Sequence, residues 1–403
     1  MRRLAYSCAL MLMLATLARA QEQPVELNVT CVYPGAELGA ALTDFAGQLG
    51  YQVDLGELED SDELEEPIWV LARNVKPDVA LKLISESGRV ALQLDAEARM
   101  LRCRLDGSAV GKPEVRGFDV KALTTAFRDY RKRFDKPLPA EAGQAPSEIL
   151  LEVVQRVLEG DASTDTGSPV GTRLVFTRTA DELRNIEELL SLLAADKGGD
   201  SVALSQDRAN RLALEKSAPR GLPAASSFGA ALWRLFEKSP APVYVHGSLL
   251  ETVFLDDDAE VADMEAGPNE VLALLATEHG FYVDARHGAM RLHQLHYAGT
   301  PSYRVFALDA LLADLEKQYK EMAEGADNPD ELSLKARGGV AVIVDALEAQ
   351  LESAGHLPQV LAYGARIVVM GGSDIVDAAA KILRELGWKD PAKDTGKEER
   401  SGK

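Results

Sequence analysis

The chain has 403 residues, 46% hydrophobic and 27% charged, an ordinary globular composition at a length that exceeds what one core serves. Acidic side chains outnumber basic ones 64 to 44, giving a net charge of −20 with no clustered Lys/Arg stripe. Such a surface repels phosphate backbones, which excludes nucleic acid and anionic lipid as expected partners.

Residues 1–20 read as a cleavable signal peptide. Arg2 and Arg3 form a positive start, and an apolar run around Leu10–Leu14 follows. Ala18-Arg19-Ala20 then offers small residues to a signal peptidase, with Gln21 first in the mature chain. The run is too short for a spanning helix, which needs about 20 apolar residues. Cys8 lacks a lipobox, so a lipid anchor is not expected. The expectation is an exported protein, periplasmic or extracellular, without stable membrane insertion. Export leaves Cys31 and Cys103, and two alternatives stand open: a disulfide, or two independent buried thiols.

In chain order, VELNVTCVY alternates as a strand. A helical stripe through Leu38, Leu42, Phe45 and Leu49 ends at Gly50, and Tyr51–Asp54 is extended. An acidic stretch from Glu57 to Glu66 precedes the strand-like Ile68-Trp69-Val70-Leu71. Pro77 suits the first turn of a helix that buries Val79, Ala80, Leu83 and Ile84 before Gly88. RVALQLD and MLRCRLD form a closing hairpin.

At an offset of about 190 residues the order recurs. RLALEK reads as the opening strand, and Phe228, Leu232, Leu235 and Phe236 as the helix stripe. Val243–His246 is the next strand, and Asp256–Glu260 a second acidic run. Val261–Met264 leads to Pro268 and a helix ending at Gly280. FYVDARHGAMRLHQL is the hairpin.

A smaller module follows each copy. Gly117–Val120 and Ser302–Val305 open them, and Arg173–Phe176 and Arg366–Val369 with their trailing helices close them. The fold class expected is therefore α+β, a tandem duplication in which each half is β-α-β-β-α-β-β followed by β-α-α-β-α. The boundaries fall at 21–112, 113–195, 211–298 and 299–388, with residues 196–210 as linker and 389–403 as a polar, disordered tail.

This pattern resembles a known family. The stretches VELNVTCVYPGAELGAALTDFAGQLGYQV and WVLARNVKPDVALKLISESGRVALQLDAEARMLRCR resemble the short N-terminal (STN) domain shared by secretins and TonB-dependent receptors. TRLVFTRTADELRNIEELLSLL is similar to the close of the KH-like periplasmic domains that follow in secretins. The resemblance implies a role in protein–protein contact in the cell envelope. The pore-forming and transport roles do not carry over, because neither the secretin multimerisation region nor a receptor barrel follows the matching stretches. Ring stacking in secretins implies self-assembly as a rival reading.

No constellation specifies an enzyme, a cofactor or a small-molecule substrate. His287, His293 and His296 invite a metal, but a strand would place His293 and His296 on opposite faces. Neither acidic run has the alternating ligand spacing of a calcium loop. There is no nucleophile elbow, and Gly338-Gly339 and Gly371-Gly372 are too sparse to cradle phosphate. A hydrolase using dispersed carboxylates is the remaining enzymatic alternative. The leading expectation is a non-catalytic protein that pairs with partners through sheet edges. Its candidate edges are Ile68 and Val70 in the first half, and Val261 and Met264 in the second.

Overall fold

The computed structural model describes residues 28–390, apart from residues 60, 105–112, 135–143, 160–166, 226, 251–262, 295–301, 325–332, 337 and 354–358. The signal peptide and almost all of the tail lie outside the described residues, as do the second acidic run, Val261, His296 and His356.

Strand β1 (Val29–Glu37) runs into helix α1 (Leu38–Leu49), then β2 (Gln52–Asp54). Gly50 closes α1 at φ 68°, the left-handed conformation that suits glycine. The first acidic stretch forms two 3₁₀ turns before β3 (Pro67–Val75) and α2 (Pro77–Gly88), whose first turn holds Pro77. The hairpin β4 (Ala91–Asp95) and β5 (Met100–Arg104) ends this unit. Strand β6 (Glu114–Asp119), helices α3 (Lys121–Phe134) and α4 (Pro146–Glu159), strands β7 (Gly167–Val170) and β8 (Arg173–Arg178), and α5 (Ala180–Ala194) form the first small module.

Next come β9 (Gly198–Asp200), α6 (Val202–Ser217), α7 (Phe228–Phe236), β10 (Val243–Val245), the single turn α8 (Gly247–Leu250) and α9 (Pro268–His279). The hairpin β11 (Tyr282–Arg286) and β12 (Ala289–His293) follows. The last module is β13 (Tyr303–Ala307), α10 (Asp309–Ala323), α11 (Ala341–Ser353), β14 (Gln359–Tyr363), β15 (Arg366–Met370) and α12 (Ser373–Glu385). The α+β class is as expected.

Four sheets carry these elements. The largest, β1-β3-β10-β12-β11, draws strands from both halves. Strand β3 pairs antiparallel with β1 on one side and with β10 on the other, Leu71 against Val243 and Trp69 against Val245. Alternation then sends its side chains to two cores. Ile68, Val70 and Ala72 join α1 and α2, whereas Trp69 and Leu71 join α7 and α9. Tyr244 reciprocates by facing the first-half core.

The hairpin arrays share one topology. In β2-β5-β4 and in β10-β12-β11 the first pair is parallel and the hairpin antiparallel. The small modules likewise match, β6-β8-β7 against β13-β15-β14, all antiparallel. They stack in four layers. Helices α3–α5 lie between their own sheet and that of the second module, burying Phe118 and Leu174 below and Val305 and Val368 above. The other face of the second sheet buries Phe306 and Ile367 against α10–α12.

Several expectations are corrected. RLALEK is not a strand. Together with most of the expected linker it forms α6, where Ser201 accepts the Leu204 N–H and a run without Gly or Pro favours helix. The start of the linker is strand β9, paired with β13 through Gly198–Asp200. A Cβ on Gly198 would sit 2.1 Å from the Val305 carbonyl oxygen, and its φ is 64°, so only glycine allows this approach. The small modules are β-α-α-β-β-α, since β7 and β14 went unread. The expected edge at Ile68 and Val70 is an interior strand, because β10 occupies its second side.

Trp69 is fully buried where the halves meet and packs edge-on against Phe236, ring centroids 6.4 Å apart. Trp69→Ala is expected to destabilise the whole chain by about 3–5 kcal/mol in a denaturant titration followed by circular dichroism, the usual loss for a buried Trp. A loss below about 1 kcal/mol would contradict the shared core.

Candidate functional site

Three features are candidates: a buried polar seam between the halves, a cavity between the small modules, and the free sheet edges.

The seam is built on Glu86, in the last turn of α2. It accepts hydrogen bonds from the Tyr244 hydroxyl and from His287 Nε2 at 2.8 Å, and Arg286 Nε lies 2.9 Å away. The carboxylate comes from the first half and all three partners from the second. His287 and Gly288 form the two-residue turn of the β11–β12 hairpin, both with positive φ, and this turn aims the imidazole at Glu86. Burial pushes the Glu86 carboxyl up, but His287, Arg286 and Tyr244 outweigh it and hold it at about 2.

A second pair lies beside it. Arg291 is fully buried on β12 and donates through Nε, at 2.8 Å, and Nη2 to Asp284, its cross-strand neighbour. His293 Nε2 stands 3.4 Å from the same carboxylate. Burial raises the Asp284 carboxyl, and His293 and Arg291 overcompensate and bring it to about 2. His246 closes the group at the start of α8, where its Nδ1 accepts the Ser248 N–H at 3.2 Å. Burial drives the His246 pKa from 6.5 down to about 4, so the ring is neutral at pH 7. The carboxylates in this network are held in ion pairs, an arrangement that fixes the seam.

The cavity, about 440 Å³, is lined by α3, the end of α5 and the β14–β15 turn. Phe127 stacks on Tyr363 at 4.5 Å, and the Tyr130 hydroxyl accepts the Val340 N–H at 2.8 Å. On its rim Arg366 pairs with Asp309, and Arg133 pairs with Glu316 beyond it.

The sheet edges differ in protection. On β1, Gln48 bonds both the N–H and the C=O of Thr30, and Pro34 and two bulges interrupt the rest. Strand β7 carries Pro169, and β14 lies against α4, where the Tyr363 hydroxyl donates to the Pro146 carbonyl at 3.3 Å. The outer edge of β6 has neither proline nor bulge and no partner strand among the described residues. Val115 on β6 is 72% exposed and Val170 on β7 60%.

Of the residues singled out from sequence, Ile68 and Val70 are core. Met264 is engaged through its backbone with Leu222 in an isolated bridge, and Val261 lies outside the described residues. Cys31 and Cys103 are free thiols in the first-half core, and burial raises them to about 11 and 12, out of the reactive range. His287 and His293 turn to separate carboxylates. No group of three or more metal-capable side chains occurs among the described residues. Sequence reading missed Glu86, Tyr244 and Arg291, whose association depends on the inter-half pairing. It also missed Arg116, for which the shared Arg-x-Phe of VRGF and YRVF was an available signal.

No family model, no curated protein and no solved structure matches this chain.

Two predictions follow from the seam. Arg291→Met alone is expected to cost about 3–5 kcal/mol, because Asp284 is left buried without its arginine and with only His293 beside it, while adding Asp284→Leu recovers most of that loss. Equal destabilisation in both variants, measured by denaturant titration, would contradict the pairing. The second concerns acid. His246 binds its proton more weakly folded than unfolded, so stability falls from about pH 6.5 towards 4. Glu86 and Asp284 hold their charge to about pH 2 when folded, so their contribution, present above the ordinary carboxyl range, is lost as pH falls from about 5 to 2. The thermal midpoint should therefore decline in two stages, and His246→Asn, which keeps a helix-capping side chain, should flatten only the upper one.

Proposed function

We propose that this chain is an exported, non-catalytic protein of the cell envelope, descended from a duplicated STN-like and KH-like unit, that works by contacting other proteins. The observation that carries this reading is the first small sheet. Its inner face is buried on α3–α5, while its outer face presents Val115 and Val170 to solvent beside a strand with no outer partner among the described residues. Exposed apolar side chains next to free backbone donors and acceptors suit strand addition, in which backbone bonds supply the affinity. The pairing of buried carboxylates with arginine and histidine fits a role without acid–base chemistry.

The same face favours a second reading, self-assembly, because two copies could bury Val115 and Val170 against each other. Size-exclusion chromatography with light scattering on residues 21–403, over a concentration series, separates the two. A constant mass of one chain is expected for an adaptor, and a mass that rises with concentration and falls back in Val115→Lys is expected for self-assembly. Cleavage of a generic ester, phosphoester or glycoside substrate panel, lost when a single carboxylate is replaced, would overturn both.

A further inference from the structure

The two small modules differ at one edge, and the difference specifies a ligand. Strands β6 and β13 occupy the same place in their sheets. Phe118 pairs with Leu174 as Phe306 pairs with Ile367, and the N–H of Val120 reaches the Thr172 carbonyl as that of Leu308 reaches Ala365, each at 2.9 Å. Arg116 lies over Phe118 at 5.2 Å, and Arg304 lies over Phe306 at 4.9 Å.

On β13 the outer edge is filled by the chain itself. Gly198, Gly199 and Asp200 pair with Phe306, Val305 and Arg304. Ser201 donates its N–H to the Tyr303 carbonyl at 2.9 Å, and its hydroxyl accepts the Tyr303 N–H at 3.2 Å. Asp200 stands 3.5 Å from the Arg304 guanidinium. The glycines are needed because the added strand comes close to β13, as the Gly198 approach to Val305 shows.

On β6 the corresponding edge has no partner among the described residues. Because the Val120 N–H points towards β8, alternation turns the backbone groups of Val115 and Gly117 outward, as on Tyr303 and Val305. Arg116 is half-exposed, and its ion-pair partner among the described residues is the surface carboxylate of Glu187, at 2.9 Å.

We infer that β6 accepts a short extended segment of another protein, made of small residues followed by an acidic residue and a hydroxyl residue, in the manner of Gly198–Ser201 on β13. The small residues allow close approach, the acidic residue pairs with Arg116, and the hydroxyl residue ends the strand on Val115. This deepens the protein-contact reading and rests on it.

The test uses a synthetic peptide with the sequence of residues 195–204, titrated into the isotope-labelled chain 21–403 and followed by NMR. Shift changes are expected at Val115 and Gly117 and not at Tyr303 and Val305, whose edge is filled. A peptide with lysine in place of Asp200 should bind at least about ten-fold more weakly, consistent with losing one charge-assisted contact. Gly117→Pro should abolish binding with the thermal midpoint unchanged, since the lost N–H faces out and proline is tolerated at an edge. No change along β6 at saturating peptide, or binding that survives Gly117→Pro, overturns the inference. If concentration-dependent assembly persists in Gly117→Pro, the protein-contact reading stands through another surface and only the β6 assignment falls.

Discussion

The antiparallel pairing of Trp69, Val70 and Leu71 with Val245, Tyr244 and Val243 is short, but it sets the arrangement of the first half of each repeat-like unit. A strand buried on both faces has no polar side to give to water, so it must serve two cores. Strand β3 does this by sending alternate side chains to α1 and α2 on one face and to α7 and α9 on the other. The consequence is energetic coupling. Each core loses part of its wall if the other half departs, so neither can unfold alone without exposing large apolar side chains to water. Glu86 strengthens the same joint from the side. Its carboxylate is neutralised by His287 and Arg286 of the other half, and separation would leave a charge beside an apolar core.

The segment between the halves reinforces this coupling. Strand β9 adds to the second small sheet, and α6 then crosses to the large one, with Leu204 in the former core and Leu214 in the latter. Midway, Asp207 is fully buried. It accepts from Arg211 Nε at 3.0 Å and from the Ser373 N–H at 3.1 Å, which places a carboxylate at the amino-terminal end of α12. What composition suggests as a connector is therefore a rigid strut tied to both modules.

How much of this was legible in sequence depends on the range of the interaction. Helix stripes, the prolines at residues 77 and 268, and the glycine stops at 50 and 280 act over a few residues, and each is found where its pattern indicates. RLALEK alternates over six residues and reads as a strand, but the run from Ser201 to Lys216 has a serine cap, mostly good helix formers and no Gly or Pro. The longer window held the answer. Strand β7, with a glycine and a proline in four residues, has almost no intrinsic strand signal and exists because β8 pairs with it. IWVLA is the more instructive difference, an interior strand where an edge is expected. An unbroken apolar run is the mark of a strand covered on both faces, and it argued against an edge from the start. The seam residues were illegible for a different reason: Glu86 and His287 are 201 residues apart, and nothing local marks either as the other's partner.

The contrast between the two small modules shows why likeness of sequence and likeness of role diverge. Both keep the arginine stacked over phenylalanine and the same strand order. Their surroundings differ. The second sheet is covered on both faces by helices and along its β13 edge by β9, so these surfaces are satisfied within the chain. Among the described residues, the first sheet has helices on one face only, and its outer strand retains open backbone groups next to exposed valines. Natural sheets rarely leave such an edge without a proline, bulge or covering side chain, and this chain applies those devices elsewhere, with Gln48 and Pro34 on β1 and Pro169 on β7. An edge left without such protection among the described residues, in a molecule that protects others, is what the proposed strand addition requires.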